Sequence, residues 1–342
     1  MTTIKTPDWQ VTPHADRIPG DGAVAACTEP PLSDAWFAAR RRHVTASEVS
    51  AITGNHPWLS QAGLWLDKTE GAEPEPDNPA MWWGRELEPL IIKWHRLKYP
   101  NVWVERPGDF PSLLAKPGTV FAASLDGVRH DARRTEVLEV KTARTSIGWA
   151  DGEAPLHYLE QVQWQLLVTG LEWGRIVARV GGDPEPIERL VPADKAWQDA
   201  VAELVTDWWA RHVVQGEPPV LDPDRDRPLL PQLWPGEPVE QDVTVELDAA
   251  VWREFVAACE AETAATERRD RLQFEIQSQH LQDATVATVD GEPVVSWRMQ
   301  TSNRLDTARL KAEQPAIADE YMKQTISRVF RKPGITSKGK QK

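Results

Sequence analysis

The sequence is poor in cysteine and has no long hydrophobic segment. Of its 342 residues only two are cysteines, Cys27 and Cys259, and they lie far apart. This usage argues against a disulfide-stabilised fold and against a cysteine-based metal site. No run of about eighteen apolar residues occurs, so no membrane span is expected. The polar amino-terminal segment lacks the apolar core of a signal peptide, and the sequence therefore predicts a cytoplasmic protein.

Basic residues are also in the minority, and the formal net charge is −13. The excess of acid lies between residues 183 and 262, whereas residues 320–342 hold seven basic residues and one acid. Because binding to DNA follows the local field rather than the total charge, this balance does not exclude a nucleic-acid partner. The tail contains six basic residues that are candidates for DNA contacts: Arg328, Arg331, Lys332, Lys338, Lys340 and Lys342.

Hydrophobic periodicity and proline-rich stretches divide the chain into regions. After the amino-terminal segment the order of elements is helices, then three strands, one helix and another strand. This order predicts an α/β (α+β) fold with a mixed central sheet flanked by helices. One of the early helices is predicted from Thr45 to Gly54. The predicted regions are a disordered segment at 1–32, a folded domain at 33–220, a linker at 221–240, and an extension at 241–342 with a long helix, a hairpin and the basic tail.

The segment "VLEVKTA" at residues 137–143 reads as a strand with charges inside an apolar run. Because side chains alternate along a strand, Glu139 and Lys141 point to the same face. Asp126 ends an earlier strand-like segment that could pair with this one. Carboxylates on adjacent strands suit Mg²⁺, and a lysine beside them could align or activate an attacking water. The pattern predicts metal-dependent phosphodiester cleavage, with a solvated strand face as the alternative.

Three other features support the same prediction. Glu88 on a long helix could supply a third carboxylate, and Gln161 with Gln165 share one helix face after the strand. Arg40 and Ser47 lie beside a predicted helix start, where an arginine and a hydroxyl can bind a phosphate. Each feature alone is compatible with an ordinary solvated helix.

Taken together, these segments resemble the YqaJ-type viral recombinases, the phage relatives of lambda exonuclease among the PD-(D/E)xK nucleases. The resemblance covers residues 36–182. It is carried by Trp36, Arg40, "VTASEV" at 44–49, "WGRELEP", "SLDG", "LEVKT" and "YLEQVQWQ". The departures from the family pattern are Leu125, where the family has proline, and weak similarity between Gly54 and Pro79.

The resemblance implies a restriction-endonuclease-like fold and a Mg²⁺-dependent exonuclease, with Mn²⁺ as a possible substitute. It implies Asp126, Glu139 and the Val140 carbonyl as metal ligands, with Glu88 as an accessory acid. Lys141 and Gln161 match catalytic positions, and Arg40 and Ser47 match positions that bind the terminal 5′-phosphate.

The same resemblance implies a phage or prophage protein of the bacterial cytoplasm that digests double-stranded DNA ends 5′ to 3′ for homologous recombination. A ring-shaped trimer and a single-strand annealing protein as partner are expected from it as well. Two alternatives stay open at the level of sequence: a structure-selective endonuclease, and a DNA-binding accessory protein without catalysis.

Overall fold

The chain divides into two compact units, Met1–Leu233 and Trp234–Lys342. A computed structural model describes residues 18–71, 78–149, 152–235 and 244–323, together with Phe330. None of the helices in these ranges has an apolar stretch long enough to cross a membrane.

The first unit combines short strands with helices. Its strands are β1 (Val24–Cys27), β2 (Val44–Thr45), β3 (Trp103–Glu105), β4 (Leu113–Ala115), β5 (Phe121–Ala123), β6 (Gly127–His130), β7 (Thr135–Ala143), β8 (Trp173–Val180) and β9 (Ile187–Pro192). Its helices are α1 (Asp34–Arg41), α2 (Val49–Ile52), α3 (Gln61–Thr69), α4 (Pro79–Lys98), α5 (Leu156–Thr169), α6 (Lys195–Trp208) and α7 (Leu230–Leu233), with a π-helix at Trp209–Val214 and a 3₁₀ helix at Arg227–Leu229.

Two sheets organise this unit. The larger sheet has the strand order β3-β6-β7-β8-β9, and the smaller has the order β1-β4-β5-β2. In the larger sheet β7 and β8 are parallel, whereas the other pairs are antiparallel. The expectation of a mixed sheet flanked by helices is thereby confirmed, and a second sheet accompanies it.

Strand β7 buries its two faces against different helices. Val137 belongs to the main core, to which α5 contributes, whereas Leu138 and Val140 pack with Ile91 and Ile92 of α4. Glu139 therefore lies on the α5 side, as the alternation of side chains predicts. Because the strand is buried on both faces, apolar side chains occupy consecutive positions at Val137 and Leu138.

Helix α5 joins the two sheets. The indole Nε1 of Trp164 donates to the carbonyl oxygens of Val44 and Ala122 in the smaller sheet. On the other side a Cβ at Gly174 would lie 2.3 Å from Val162 Cγ1, so only glycine lets α5 approach β8 this closely. The helix ends at Gly170, which has a left-handed backbone with φ +77°. These contacts fix the position of α5 relative to the smaller sheet and to β8.

Three predictions about local structure are wrong in part. The segment from Thr45 to Gly54 is not one helix, because Val44–Thr45 pair with β5 and helix α2 has only four residues. Residues 24–27 of the segment predicted to be disordered form β1, which pairs with β4. Residues 221–233 of the predicted linker include the 3₁₀ helix and α7 in the first unit. In the first two cases long-range strand pairing overrides the local sequence preference.

The second unit contains the predicted long helix and hairpin. Helix α8 (Ala249–Glu275) continues as a π-helix at Ile276–Leu281, and strands β10 (Val286–Val289) and β11 (Glu292–Ser296) pair around Asp290 and Gly291. Two short helices follow, α9 (Thr307–Glu313) and α10 (Pro315–Glu320). The six basic tail residues, from Arg328 to Lys342, lie outside the described residues, as do residues 1–17.

Candidate active site

Asp126, Glu139 and Lys141 converge between two neighbouring strands. Asp126 lies directly before β6, and its Oδ2 accepts a hydrogen bond from the backbone N–H of Val140 on β7 at 2.8 Å. Lys141 Nζ lies 2.6 Å from Glu139 Oε1. Glu139 is buried, while Asp126 and Lys141 keep partial contact with solvent. The pairing of β6 with β7 thus brings the three predicted residues together at a place that a substrate can reach.

Helix α5 supplies the amides that hold Glu139. Gln161 Nε2 donates to Glu139 Oε1 at 2.6 Å, and Gln161 Oε1 accepts from Lys141 Nζ at 2.9 Å. Gln165 Nε2 donates to Glu139 Oε2 at 2.6 Å and also contacts the carbonyl oxygen of Ser124. Since the two glutamines are one helical turn apart, both reach the same carboxylate. This arrangement fixes the carboxylate before any ligand binds.

The site carries more negative than positive charge. Burial, followed by repulsion from Glu139 and Glu88, raises the pKa of Asp126 well above its usual value. The pKa of Glu88 on α4 is raised by burial and by Glu139, although Lys141 opposes the shift. Burial lowers the pKa of Lys141, but Glu139 and Asp126 outweigh it and raise that pKa. Three carboxylates therefore share one ammonium group.

The donor set fits a hard divalent cation. Within the described ranges no three or more histidine, cysteine, aspartate or glutamate side chains are grouped closely enough to hold a metal ion. A cation here would take the carboxylates of Asp126 and Glu139 and complete its shell with water and substrate oxygens, which is the usual coordination of Mg²⁺. The crowding of carboxylates, seen in the raised pKa of Asp126, is the repulsion that a cation would relieve. The metal roles of Asp126, Glu139, Glu88 and the Val140 carbonyl all stay predictions.

Arg40 and Ser47 form a second cluster. Arg40 Nη2 donates to Ser47 Oγ at 3.4 Å, and Ser47 is exposed. The same Nη2 also lies 2.7 Å from Glu48 Oε1, and Lys68 Nζ lies 2.8 Å from Glu48 Oε2. The structure thus brings the two predicted phosphate-binding residues together. No helix begins at Thr45–Ser47, however, so the hydroxyl and the guanidinium would bind a phosphate without a helix N-terminus.

Several neighbours of these clusters carry no clear signal in the sequence. Lys141 Nζ lies 4.7 Å from the ring centroid of Tyr158, and the ring of His157 lies 4.0 Å from that of Tyr158. Burial, His56 and Lys141 lower the pKa of His157 to about 4. The pairing of Lys68 with Glu48 depends on the packing of α3 beside α1, which local periodicity does not reveal. Gln165, by contrast, was indicated by its helical spacing from Gln161.

The fold and the site define a mixed α/β domain with an acidic, lysine-containing site between two strands and a helix. Residues 35–172 match the model of the YqaJ-like viral recombinase domain, and the predicted resemblance is confirmed. The uncharacterized protein YqaJ of Bacillus subtilis (strain 168) is 27% identical over 313 residues, which are 87% of this chain and 93% of that protein.

Two solved structures were also compared with the chain. An alkaline exonuclease from Laribacter hongkongensis is 25% identical, with 54% of this chain and 94% of that chain covered and a TM-score of 0.44. A phage-related exonuclease from Haemophilus somnus 129PT is 12% identical, with 55% and 86% covered and a TM-score of 0.33.

Proposed function

We propose that the protein is a Mg²⁺-dependent exonuclease that digests double-stranded DNA from its ends, 5′ to 3′, and leaves single strands for recombination. The observation that carries the proposal is the convergence of Asp126, Glu139 and Lys141 at the junction of β6 and β7. The match of residues 35–172 to the model of the YqaJ-like viral recombinase domain supports it. Mn²⁺ is expected to substitute for Mg²⁺ at the same oxygen ligands.

The residues have two roles: some hold the metal ion and the others align the attacking water. A divalent ion at Asp126 and Glu139 supplies charge stabilisation to the phosphate and lowers the pKa of bound water. Gln161 and Gln165 keep the Glu139 carboxylate in one orientation, because both donate to it at 2.6 Å. Lys141, held by Gln161, presents its ammonium group where an attacking water can be aligned. Glu88 adds negative charge that increases the affinity of the site for a cation.

End recognition is assigned to the Arg40–Ser47 cluster. A phosphate there would accept from the guanidinium of Arg40 and from the Ser47 hydroxyl, which lie within 3.4 Å of each other. Glu48 neutralises part of the Arg40 charge, so the cluster would bind one phosphate and would not attract DNA over a distance. A single bound end phosphate is what an enzyme that starts at 5′ ends requires.

The test is the substitution Lys141→Ala. We expect digestion of a linear 5′-phosphorylated duplex with Mg²⁺ to fall by at least about 10²-fold, because the water loses its aligning group. Binding to the same duplex, measured by fluorescence anisotropy with Ca²⁺ in place of Mg²⁺, should stay within about twofold. Lys93→Ala on the exposed part of α4 is the matched control and should behave as the wild type. Wild-type digestion by the Lys141 variant would contradict the proposal.

Closed circular DNA separates the two nuclease alternatives. An exonuclease requires an end, so a covalently closed duplex should stay intact under conditions that digest the linear form. Cleavage of the circle would indicate the structure-selective endonuclease. Lack of cleavage on every substrate, with DNA binding retained, would indicate the non-catalytic accessory protein.

We also propose that the chain forms a homo-oligomer, expected to be a trimer, and that it binds a single-strand annealing protein. Light scattering of the full chain with and without a duplex measures the first. Retention of the purified annealing protein by the immobilised chain measures the second.

A further inference from the structure

Trp58 is an exposed aromatic side chain next to the candidate active site. It is 79% exposed, far more than the core tryptophans such as Trp164. A series of aromatic rings leads from it to the site: Trp58 to His157 at 6.3 Å, and His157 to Tyr158 at 4.0 Å between ring centroids. The Tyr158 ring in turn lies 4.7 Å from Lys141 Nζ. Two rings, those of His157 and Tyr158, therefore lie between the indole and the ammonium group of Lys141.

The loop that carries Trp58 is firmly held. The backbone N–H groups of Asn55 and His56 both donate to the carbonyl of Ser50, and Asn55 Nδ2 donates to Glu160 Oε1 at 2.8 Å. The backbone N–H groups of Trp58 and Leu59 donate to His56 Nδ1. Arg225 Nη1 donates to the carbonyl of His56 at 2.8 Å. A loop bonded in this way presents its indole to solvent as part of its folded structure.

The same loop interacts electrostatically with Glu48 and is hydrogen-bonded to α5. His56 is an electrostatic neighbour of Glu48, the partner of Arg40, and of His157. His157 is in turn an electrostatic neighbour of Lys141. The loop is also tied to α5 through Glu160, the residue before Gln161. A nucleotide whose 5′-phosphate bound at Arg40 and Ser47 and whose 3′-phosphate was cleaved beside Lys141 would thus have its base near this loop.

From this placement we propose that Trp58 stacks on the base of the 5′-terminal nucleotide and positions it for cleavage. The inference rests on the proposed function and adds a positioning residue to it. Aromatic faces bind bases of any sequence, because every base offers a π-surface. The chemistry thus suits an enzyme that has to accept all four nucleotides in turn, and the indole would also hold the terminal base away from its pairing partner.

The experiment pairs a protein change with a matched substrate change. Wild type, Trp58→Ala and Trp58→Phe are compared on two linear 5′-phosphorylated duplexes, one with an ordinary terminal nucleotide and one with an abasic residue there. We expect Trp58→Ala to lower kcat/KM for release of the ordinary terminal nucleotide by about 5- to 150-fold, the range seen when a base-stacking aromatic is replaced by alanine. On the abasic end the same variant should match the wild type within about twofold, and Trp58→Phe should keep most of the activity.

Controls separate stacking from folding and from the underlying proposal. Trp297→Ala, an exposed tryptophan of the second unit, should behave as the wild type on both duplexes. Thermal unfolding of Trp58→Ala should be unchanged, because the side chain is largely exposed. Equal losses on the two duplexes, or no loss on either, would overturn the inference while leaving the exonuclease proposal intact. If the wild type digests neither end, the exonuclease proposal fails. The stacking inference is then decided by anisotropy in EDTA with the same two duplexes: Trp58→Ala should weaken binding of the ordinary end and leave binding of the abasic end unchanged.

Discussion

Two buried clusters of this protein contain a carboxylate beside a lysine, and their electrostatics are opposite. In the Arg40–Ser47 cluster, burial would raise the pKa of Glu48, but Lys68 and Arg40 lower it to about 2. In the β6–β7 cluster, burial and neighbouring carboxylates raise the pKa of Asp126, and a single ammonium group, Lys141, is shared. In the first cluster Arg40 and Lys68 balance the charge of Glu48. In the β6–β7 cluster three carboxylates share one ammonium group.

The difference separates a carboxylate balanced by cations from a candidate cation site. A balanced cluster gains nothing from an added cation, whereas a cluster with surplus carboxylates binds one favourably. Another buried acid, Glu136, follows the balanced pattern, because Arg129, Arg134 and Arg175 all lie within 3.2 Å of it. The surplus at Asp126, Glu139 and Glu88 therefore contrasts with the balanced charge around Glu48 and Glu136.

The largest expected effect is on the free energy of unfolding. It is tested by comparing the variant Glu48→Gln with the variant Asp126→Asn. Each variant removes one negative charge and keeps an acceptor for the backbone N–H that the carboxylate accepts from. Glu48→Gln should lower the free energy of unfolding by about 3–5 kcal/mol, because the buried Lys68 ammonium loses the carboxylate nearest to it. Asp126→Asn should leave that free energy unchanged or raise it by about 1 kcal/mol, because repulsion is relieved. Urea unfolding at pH 7 in EDTA measures both, and equal losses would contradict the contrast.

The pH dependence of the Glu48 contribution is the second test. The pKa of Glu48 is lowered from 4.5 to about 2 in the folded protein. Its contribution, about 3 kcal/mol, is therefore fully present above pH 4.5 and is lost as pH falls towards 2. The difference in unfolding free energy between wild type and Glu48→Gln should shrink over that window in urea titrations. A difference that stays constant from pH 6 to pH 3 would show that the ion pair contributes nothing.

The smallest expected effect concerns the amides of the β6–β7 cluster. Gln165→Met keeps the volume but removes the donor to Glu139 Oε2, so the carboxylate becomes less well oriented. We expect kcat for linear duplex with Mg²⁺ to fall by about 10-fold, the lower end for groups that orient a metal ligand. The Mg²⁺ concentration for half-maximal rate should rise as well. Unchanged values of both would show that Gln161 and Lys141 suffice to hold Glu139.

Much of the candidate site could be predicted because its members lie on regular elements. Alternation along β7 places Glu139 and Lys141 on one face of the strand. The spacing of one helical turn between Gln161 and Gln165 places both amides on one face of α5. The family resemblance in residues 36–182 was also readable from short motifs. The pairing of Val44–Thr45 with β5 was missed, because strand partners distant in sequence leave no local pattern.

The sequence by itself determined which side chains could carry the chemistry and the β-strand that presents two of them. Only the tertiary structure decided how their charges are balanced: Arg40 is paired with Glu48, Lys68 is buried beside them, and Asp126 is left among other acids. Only the structure showed that Trp58 is exposed on a hydrogen-bonded loop and that its ring contacts His157. The physical reason is that charge pairing and burial are set by contacts between distant segments, whereas the periodicity of a strand or helix is set by adjacent residues.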